Sequence, residues 1–410
     1  MKLAVIGGGP AGVLAAASAA LNGQNEVVLF EKNEKLLKKL YISGKGRCNV
    51  TNACGNEEFL SNVVRGGKFL FSALKGFSPY DTMRFFEDNG LNLKVERGNR
   101  VFPVSDKSSD VIKVLTRYAE QNGVKLLFNA AVTAVRAENG GFTVVSVRGT
   151  DFFDALIIAT GGLSYPLTGS TGDGYAFAKS LGHTVTALKP ALCAVGVRQD
   201  IKELEGLSLK NVTARAVSGD KTVDEQFGEM LFAAGSLSGP IILSLSSRIN
   251  QTDGKNIKII IDLKPALNEE VLDARILRDF KDCINKNFSN ALSGLLPKSL
   301  IPYIINSVGI SPLKKINEIS REERKALVYA LKNLTLDVTG LAPIESAIVT
   351  GGGISLSEIN PKTMESKLVK GLYFAGEVLD IDALTGGFNI QIALSTGFAA
   401  GKETDKAAFL

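Results

Sequence analysis

Leu3-Ala4-Val5-Ile6 is a short, continuous apolar run of the kind carried by a strand buried on both faces. Val13 to Leu21 is almost wholly Ala, Leu and Ser, which favours helix, and Asn22-Gly23 supplies its stop. Glu26 to Phe30 is a second apolar run, closed by Glu31. Val111 to Gln121 has helical apolar spacing and ends at Asn122-Gly123, while Val124 to Phe128 and Phe142 to Val147 read as strands. Short alternating runs between 191 and 262, such as Val212 to Val217 and Ile257 to Ile261, predict β structure. Residues 265–333 predict helices, with a capping box formed by Ser320 and Glu323, and Leu334 to Val338 returns to strand. Gly371 to Glu377 reads as a strand ending at a glycine, and Ile390 to Ala400 as a buried helix.

The first turn carries the first chemistry. Gly7-Gly8-Gly9-Pro10-Ala11-Gly12 contains G-x-G-x-x-G between a strand and a helix. Gly7 permits the tight turn, Gly9 lets the backbone approach a pyrophosphate, and Gly12 allows close helix–strand packing. Pro10 and Ala11 open the helix, whose free N–H groups face the phosphates at the positive end of its dipole. Glu31 lies nineteen residues beyond Gly12, the distance at which a carboxylate accepts hydrogen bonds from a ribose. A glycine loop alone is weak evidence. Strand, glycines, helix, strand and terminal acid in this order point to a dinucleotide.

Composition narrows the class. The chain has 410 residues, 45% hydrophobic and 22% charged, which is ordinary for a globular protein and excludes a disordered or fibrous one. Lys and Arg total 47 against 42 Asp and Glu, a net +5, so no stable nucleic-acid partner is expected. The four cysteines, Cys48, Cys54, Cys193 and Cys283, form no C-x-x-C pair and fit a reduced compartment. Gly7 to Pro10 interrupts the apolar start, and no run approaches a membrane span, so a soluble, cytoplasmic protein is expected. His183 is the only histidine. On that count a histidine dyad, a Ser-His-Asp triad and a multi-histidine metal site are set aside, no metal is expected, and His183 is taken as structural.

A second strand-turn-helix fingerprint, which a separate nicotinamide domain would need, is not found. Ile157 to Gly162 reads instead as a strand ending in a small-residue turn, with Thr160, Gly161 and Gly162 suited to pass beside a cofactor. Gly376 and Glu377 close a later strand, Asp380 to Asp382 form an acidic loop, and Gly386-Gly387-Phe388-Asn389 leads into a helix at Ile390. Its first turn offers unpaired N–H groups. A helix N-terminus stabilises the negative charge of a reduced flavin by about 1 kcal/mol or more when buried. Gly387, Asn389 and Ile390 are the candidates there, and FAD is the expected cofactor.

Lys38-Lys39-Leu40-Tyr41-Ile42-Ser43-Gly44-Lys45-Gly46-Arg47-Cys48-Asn49-Val50-Thr51-Asn52 resembles the signature of the BaiN-like (YhiN-type) FAD-dependent oxidoreductases. Arg100 to Pro103, Thr160 to Pro166, Thr168 to Gly172, Ser238 to Pro240, Val349 to Gly353, Asn360 to Lys367 and Gly376 to Asp380 resemble further blocks. The resemblance runs along nearly the whole chain, with departures at Leu37 and Lys45, where the family commonly has Gly. Its members include aminoacetone oxidases and a reductase acting on dehydro-bile acids. It implies Ser43, Gly44, Cys48 and Asn49 as cofactor-loop residues and a backbone contact of Val132 with the adenine. It also implies hydride transfer between a small organic substrate and the flavin, with NAD(P)H as transient donor or oxygen as acceptor.

Six basic residues and one acid, Glu34, lie from Lys32 to Arg47. Because this stretch follows the ribose-binding acid, Lys32, Lys39 and Arg47 are candidates for pyrophosphate or adenine-side contacts. Tyr165 is the candidate proton donor, with plain packing against Pro166 as the alternative. Cys48 and Cys54 stand where flavin disulfide reductases carry a redox pair, but five residues separate them rather than four. An RNA-modifying flavoenzyme and a non-catalytic flavin redox sensor are the competing functions, and the mild charge argues against the first. The expected fold is α/β: a Rossmann-like FAD-binding domain on a parallel sheet, residues 1–190 and 345–410. An inserted β-barrel-like subdomain (191–264, with its return strand at 334–344) and a helical subdomain (265–333) interrupt it.

Overall fold

The opening apolar run forms β1 (Lys2–Ile6), buried from Leu3 onward. The structure, a computed structural model, describes residues 1–407 apart from 139, 253 and 255. β1 lies between β2 (Glu26–Phe30) and the strand Ala155–Ile158, and Val5 pairs with Leu29 and Ile157. Leu372–Phe374 and Lys125–Leu127 complete a five-stranded parallel sheet. Burial on both faces is why these strands read as unbroken apolar runs rather than alternating ones.

α1 (Pro10–Ala19) begins three residues before the Ala-rich run, because Pro10 is pre-set for the first helical position and Gly9 caps it. The closing helix, Phe388–Ala407, crosses α1 through glycines four residues apart. A Cβ on Gly397 would overlap the Ala11 carbonyl oxygen, and one on Gly401 would overlap that of Ala15. Gly376 meets the same helix start, where its Cβ would stand 2.7 Å from that of Ala11.

By its contacts the chain divides into two compact units, Met1–Ala191 with Pro343–Leu410, and Leu192–Ala342. The first holds the parallel sheet. In the second, the strands Val195–Val197, Ser236–Ser238, Lys221–Ala233, Ser208–Ser218, Ile257–Asp262 and Leu334–Leu341 close into an antiparallel barrel. Ala214, Ala216, Ile259, Ile261 and Leu336 share its buried core. The helices Glu269–Lys281, Phe288–Ala291, Leu300–Val308 and Arg321–Lys332 fill the interval between its last two strands. Ser320 caps the last of them, accepting from Glu323 N at 3.2 Å while Glu323 Oε2 accepts from Ser320 N at 2.8 Å. Arg324 grips Asp273 of the first with two hydrogen bonds, 2.6 and 3.2 Å long.

The stretch 191–262, read as β-rich, also holds a helix that the sequence did not reveal, Pro240–Ile249. A short apolar run does not reveal its period, and the Pro at the first turn after Gly239 (φ 90°) decided for helix. Ile241, Ile242, Leu245 and Ile249 turn one buried face to the core of this unit.

The backbone-on-backbone crossing at Gly397 makes a strong prediction. Gly397→Val should cost roughly 1–3 kcal/mol through overpacking and lower the thermal midpoint by several degrees. Gly76→Ala, whose Cβ enters open space, should leave the midpoint unchanged or slightly raised. Equal midpoints for Gly397→Val and wild type would show that the two helices can separate freely.

Candidate functional site

The turn from β1 into α1 is built around missing side chains. A Cβ on Gly12 would overlap the Gly7 carbonyl oxygen, and Gly7 itself has φ 107° and lies against Ala159. Gly9 differs, because nothing lies within 4 Å of where its Cβ would be. The start of α1 has no side-chain cap and no acid in its first turn, so the N–H groups at Ala11 and Gly12 face this opening unneutralised.

Glu31 stands at the end of β2 and is 7% exposed. Its Oε2 accepts from Gly8 N at 2.8 Å, and its Oε1 accepts from Asn33 N and Nδ2 at 2.8 and 2.7 Å. The carboxylate is thereby fixed beside the glycine turn. Ala130 N donates to Glu31 O at 2.9 Å, which brings Val132 alongside as the first residue of the strand Val132–Glu138.

A second cluster joins the early and late parts of the chain. Lys39 Nζ donates to Ser164 Oγ at 2.7 Å and to Glu377 Oε2 at 2.8 Å. Glu377 Oε1 also accepts from Thr350 N and Ser164 Oγ, both at 2.9 Å. Burial works to raise the Glu377 carboxyl pKa, but the Lys39 charge and these hydrogen bonds hold it below the usual carboxylate range. Gly162 has to lack a side chain here, since a Cβ would overlap Thr350 Oγ1. Thr160 Oγ1, in the same turn, is buried with no hydrogen-bond partner among the described residues, and Gly161 has φ 75°. Ser164 and Thr350 were not singled out from the sequence. Their signal was their place in the family-like blocks Thr160 to Pro166 and Val349 to Gly353.

The start of the closing helix is held by neighbours also missed in the sequence. Thr51 Oγ1 donates to Gln391 Oε1 at 2.6 Å, and Gln391 Nε2 donates to Phe77 O at 3.1 Å. A Cβ on Gly387 would overlap the Thr51 carbonyl. Asn389 pairs its side chain with Ala383 N and O at 3.0 and 2.8 Å, which leaves Ile390 in the first turn beside it.

The other basic candidates are engaged by protein acids. Lys32 bonds Asp173 and Thr171, while Arg47 is held by Glu96 and Asp106 and lies over the Phe102 ring at 4.1 Å. Ser43 Oγ donates to Leu40 O at 2.7 Å, and Asn49 Oδ1 accepts from Val101 N at 3.1 Å. Gly44, Lys45, Gly46 and Cys48 all have positive φ, as does Leu37. The two departures from the family pattern, Leu37 and Lys45, thus sit where the backbone favours glycine. Cys48 and Cys54 are free and buried, with thiols pushed up by burial to about 12 and about 11. A redox pair needs the opposite environment.

Tyr165 follows the Gly161-Gly162 turn in left-handed backbone (φ 53°), which is strained for an aromatic residue. Its N–H donates to Glu345 O at 3.1 Å and its carbonyl accepts from Thr168 Oγ1 at 2.7 Å, so the turn is fixed from both sides.

Counting histidines set aside a Ser–His–acid row too quickly, since one histidine suffices for it. His183 Nδ1 lies 3.0 Å from Glu358 Oε2, and its Nε2 lies 2.9 Å from Ser366 Oγ. The row is closed as a nucleophile. Ser366 is 7% exposed, and its Oγ also accepts from the N–H groups of Leu368 (3.0 Å) and Val369 (2.8 Å). It acts as a buried fastener.

A parallel sheet ending in an uncapped glycine turn, with an acid at the end of β2, defines a Rossmann-type dinucleotide-binding protein. The chain belongs to the HI0933-like protein Rossmann domain family, whose model matches residues 1–403. It is 31% identical over 407 residues to the 3-dehydro-bile acid delta(4,6)-reductase of Clostridium scindens, covering 98% of each chain. It is also 31% identical over 405 residues to the ribosomal RNA dihydrouridine synthase of Haemophilus influenzae, covering 96% of each. Among solved structures, the 3-ketosteroid delta1-dehydrogenase of Sterolibacterium denitrificans shares the fold, with TM-score 0.51, 13% identity and 99% coverage of both chains.

Two outcomes follow from these local environments. Lys45→Gly relieves a left-handed, exposed position and should raise stability by about 1 kcal/mol in denaturant unfolding. Burial lowers the His183 pKa despite the Glu358 hydrogen bond, so the folded chain resists the proton that the unfolded chain accepts below about pH 6.5. This contribution is intact above that pH and is lost as pH falls through it towards the lower folded value. His183→Gln should flatten that part of the stability–pH curve, and an unchanged slope would exclude His183 as its source.

Proposed function

We propose that this chain is an FAD-dependent oxidoreductase that reduces a carbon–carbon double bond conjugated to a carbonyl in a small organic substrate, with NAD(P)H as electron donor. The observation that carries the reading is the open approach over Gly9, between an uncapped helix start and the fixed carboxylate of Glu31. These residues fit a dinucleotide. The N–H groups at the start of α1 would take the pyrophosphate, Glu31 a ribose, and the backbone at Val132 the adenine. Thr160 Oγ1, in the neighbouring turn, lies against Gly174 and has no hydrogen-bond partner among the described residues. Bound FAD supplies hydride transfer, the step no side chain of this protein performs.

The relatives support the substrate class. One is named for reducing the 4,6 double bonds of a 3-dehydro-bile acid, the other for making dihydrouridine. Both changes add two hydrogens across a double bond joined to a carbonyl. The first turn of the closing helix, at Gly387 to Ile390, would face the charge of the reduced ring. Tyr165, on its fixed turn, would hold the proton that the substrate carbon takes up. No helix among the described residues is long and apolar enough to cross a membrane, and the free cysteines suit the cytoplasm.

Anaerobic stopped-flow absorbance tests the reading. NADH or NADPH should bleach the yellow protein, and a 4-ene-3-oxo steroid should restore the colour. Recovery with uridine-containing RNA but not with the enone would make the substrate a nucleic-acid base. Recovery with oxygen alone would make the protein an oxidase. Tyr165→Phe should slow the enone step by about a hundredfold and leave nicotinamide oxidation unchanged. Equal slowing of both steps would remove Tyr165 from the proton-donor role.

A further inference from the structure

Lys39 is one of the basic residues that the sequence offers as a phosphate ligand, yet its ammonium points elsewhere. The segment carrying it is tied to the nucleotide turn, because Leu37 N donates to Gly8 O at 2.8 Å. From there the side chain reaches Ser164 and a carboxylate 338 positions later in sequence. We propose that Lys39 is a positioning residue, which holds Glu377 ionised and in one orientation so that Glu377 accepts a hydrogen bond from a hydroxyl of bound FAD. This inference rests on the FAD reading above and adds to it a residue that acts without touching the cofactor.

The hydrogen-bond inventory supports it. Glu377 Oε1 accepts from Thr350 N (2.9 Å), Ser164 Oγ (2.9 Å) and Lys39 Nζ (3.2 Å), which fills its acceptor capacity. Among the described residues Oε2 accepts from Lys39 Nζ alone, at 2.8 Å, which leaves it acceptor capacity. The side chain remains 21% exposed, so a ligand can reach it. A sugar alcohol, able to donate to a carboxylate, is a group this acceptor suits.

The surrounding charges show why Lys39 is needed. Among the described residues, Lys39 is the cation paired with Glu377. Asp380, on the same loop, is a second carboxylate, and the buried Tyr175 hydroxyl also senses both acids. Neither Ser164 nor the Thr350 amide brings a full charge. Without Lys39, burial favours protonation, and a protonated Glu377 becomes a donor that competes with the ligand's own O–H.

FAD retention on dilution of the holoprotein, followed by flavin fluorescence from about pH 5.5 to about pH 8.5, tests this. Lys39→Met should weaken FAD binding by about tenfold near neutrality, more at the acid end and less at the alkaline end, relative to wild type. Lys39→Arg, which keeps the charge, should restore a wild-type pH profile. Glu377→Gln should bind FAD weakly with no added pH dependence, and the double variant K39M/E377Q should match Glu377→Gln alone. Thermal midpoints taken alongside separate folding loss from ligand loss, and Lys39→Arg keeps the comparison usable should Lys39→Met not fold. A K39M loss that is uniform with pH, or a double-variant loss equal to the product of the single ones, would overturn the inference and put Lys39 in direct contact with FAD. A wild-type chain that binds no FAD at any pH sinks the reading beneath it instead.

Discussion

Everything in the nucleotide-binding unit depends on backbones meeting where side chains are missing. At the start of α1, Gly12 lies against the Gly7 carbonyl, Gly397 against the Ala11 carbonyl and Gly376 against the Ala11 Cβ, and none of these three glycines has room for a Cβ. The first and last helices of the chain are thereby fixed relative to one another without any long side chain to adjust the gap. A geometry set by backbone contact has little slack, because main-chain atoms cannot change rotamer. The starts of α1 and of the closing helix inherit that rigidity.

The parts legible in the sequence were those whose signal is local. Strand, glycine turn, helix, strand and acid lie within 31 residues, and each has its own pattern, so β1, α1, β2 and Glu31 could be read directly. The Ser320–Glu323 capping box was equally local. The helix Pro240–Ile249 was missed because an apolar run that short has no readable period. Gly397 and Gly401 show a four-residue spacing, but nothing in the sequence says that Ala11 and Ala15 lie against them.

Site residues far apart in the chain were harder still. Glu377 and Lys39 could each be named as candidates, but their pairing lives only in three dimensions. The same holds for His183, whose partners Glu358 and Ser366 come from a segment about 180 residues away. Basic residues looked available to phosphates because sequence shows charge and not its partner. In the fold, Lys32, Lys39 and Arg47 each meet acids of the same chain. What remains uncommitted near Gly9 is backbone, and backbone N–H groups are what a pyrophosphate needs.

The barrel-bearing unit leaves and rejoins its host next to two short antiparallel strands, Lys189–Ala191 and Val349–Gly351, with Pro190 opposite Thr350. That arrangement has a consequence for synthesis on the ribosome. The edge strand Leu372–Phe374 and the closing helix emerge only after the whole insertion has been made. The nascent nucleotide-binding unit must therefore wait, its sheet one strand short and α1 without its glycine partner, until the strand Leu372–Phe374 and the helix Phe388–Ala407 have been made.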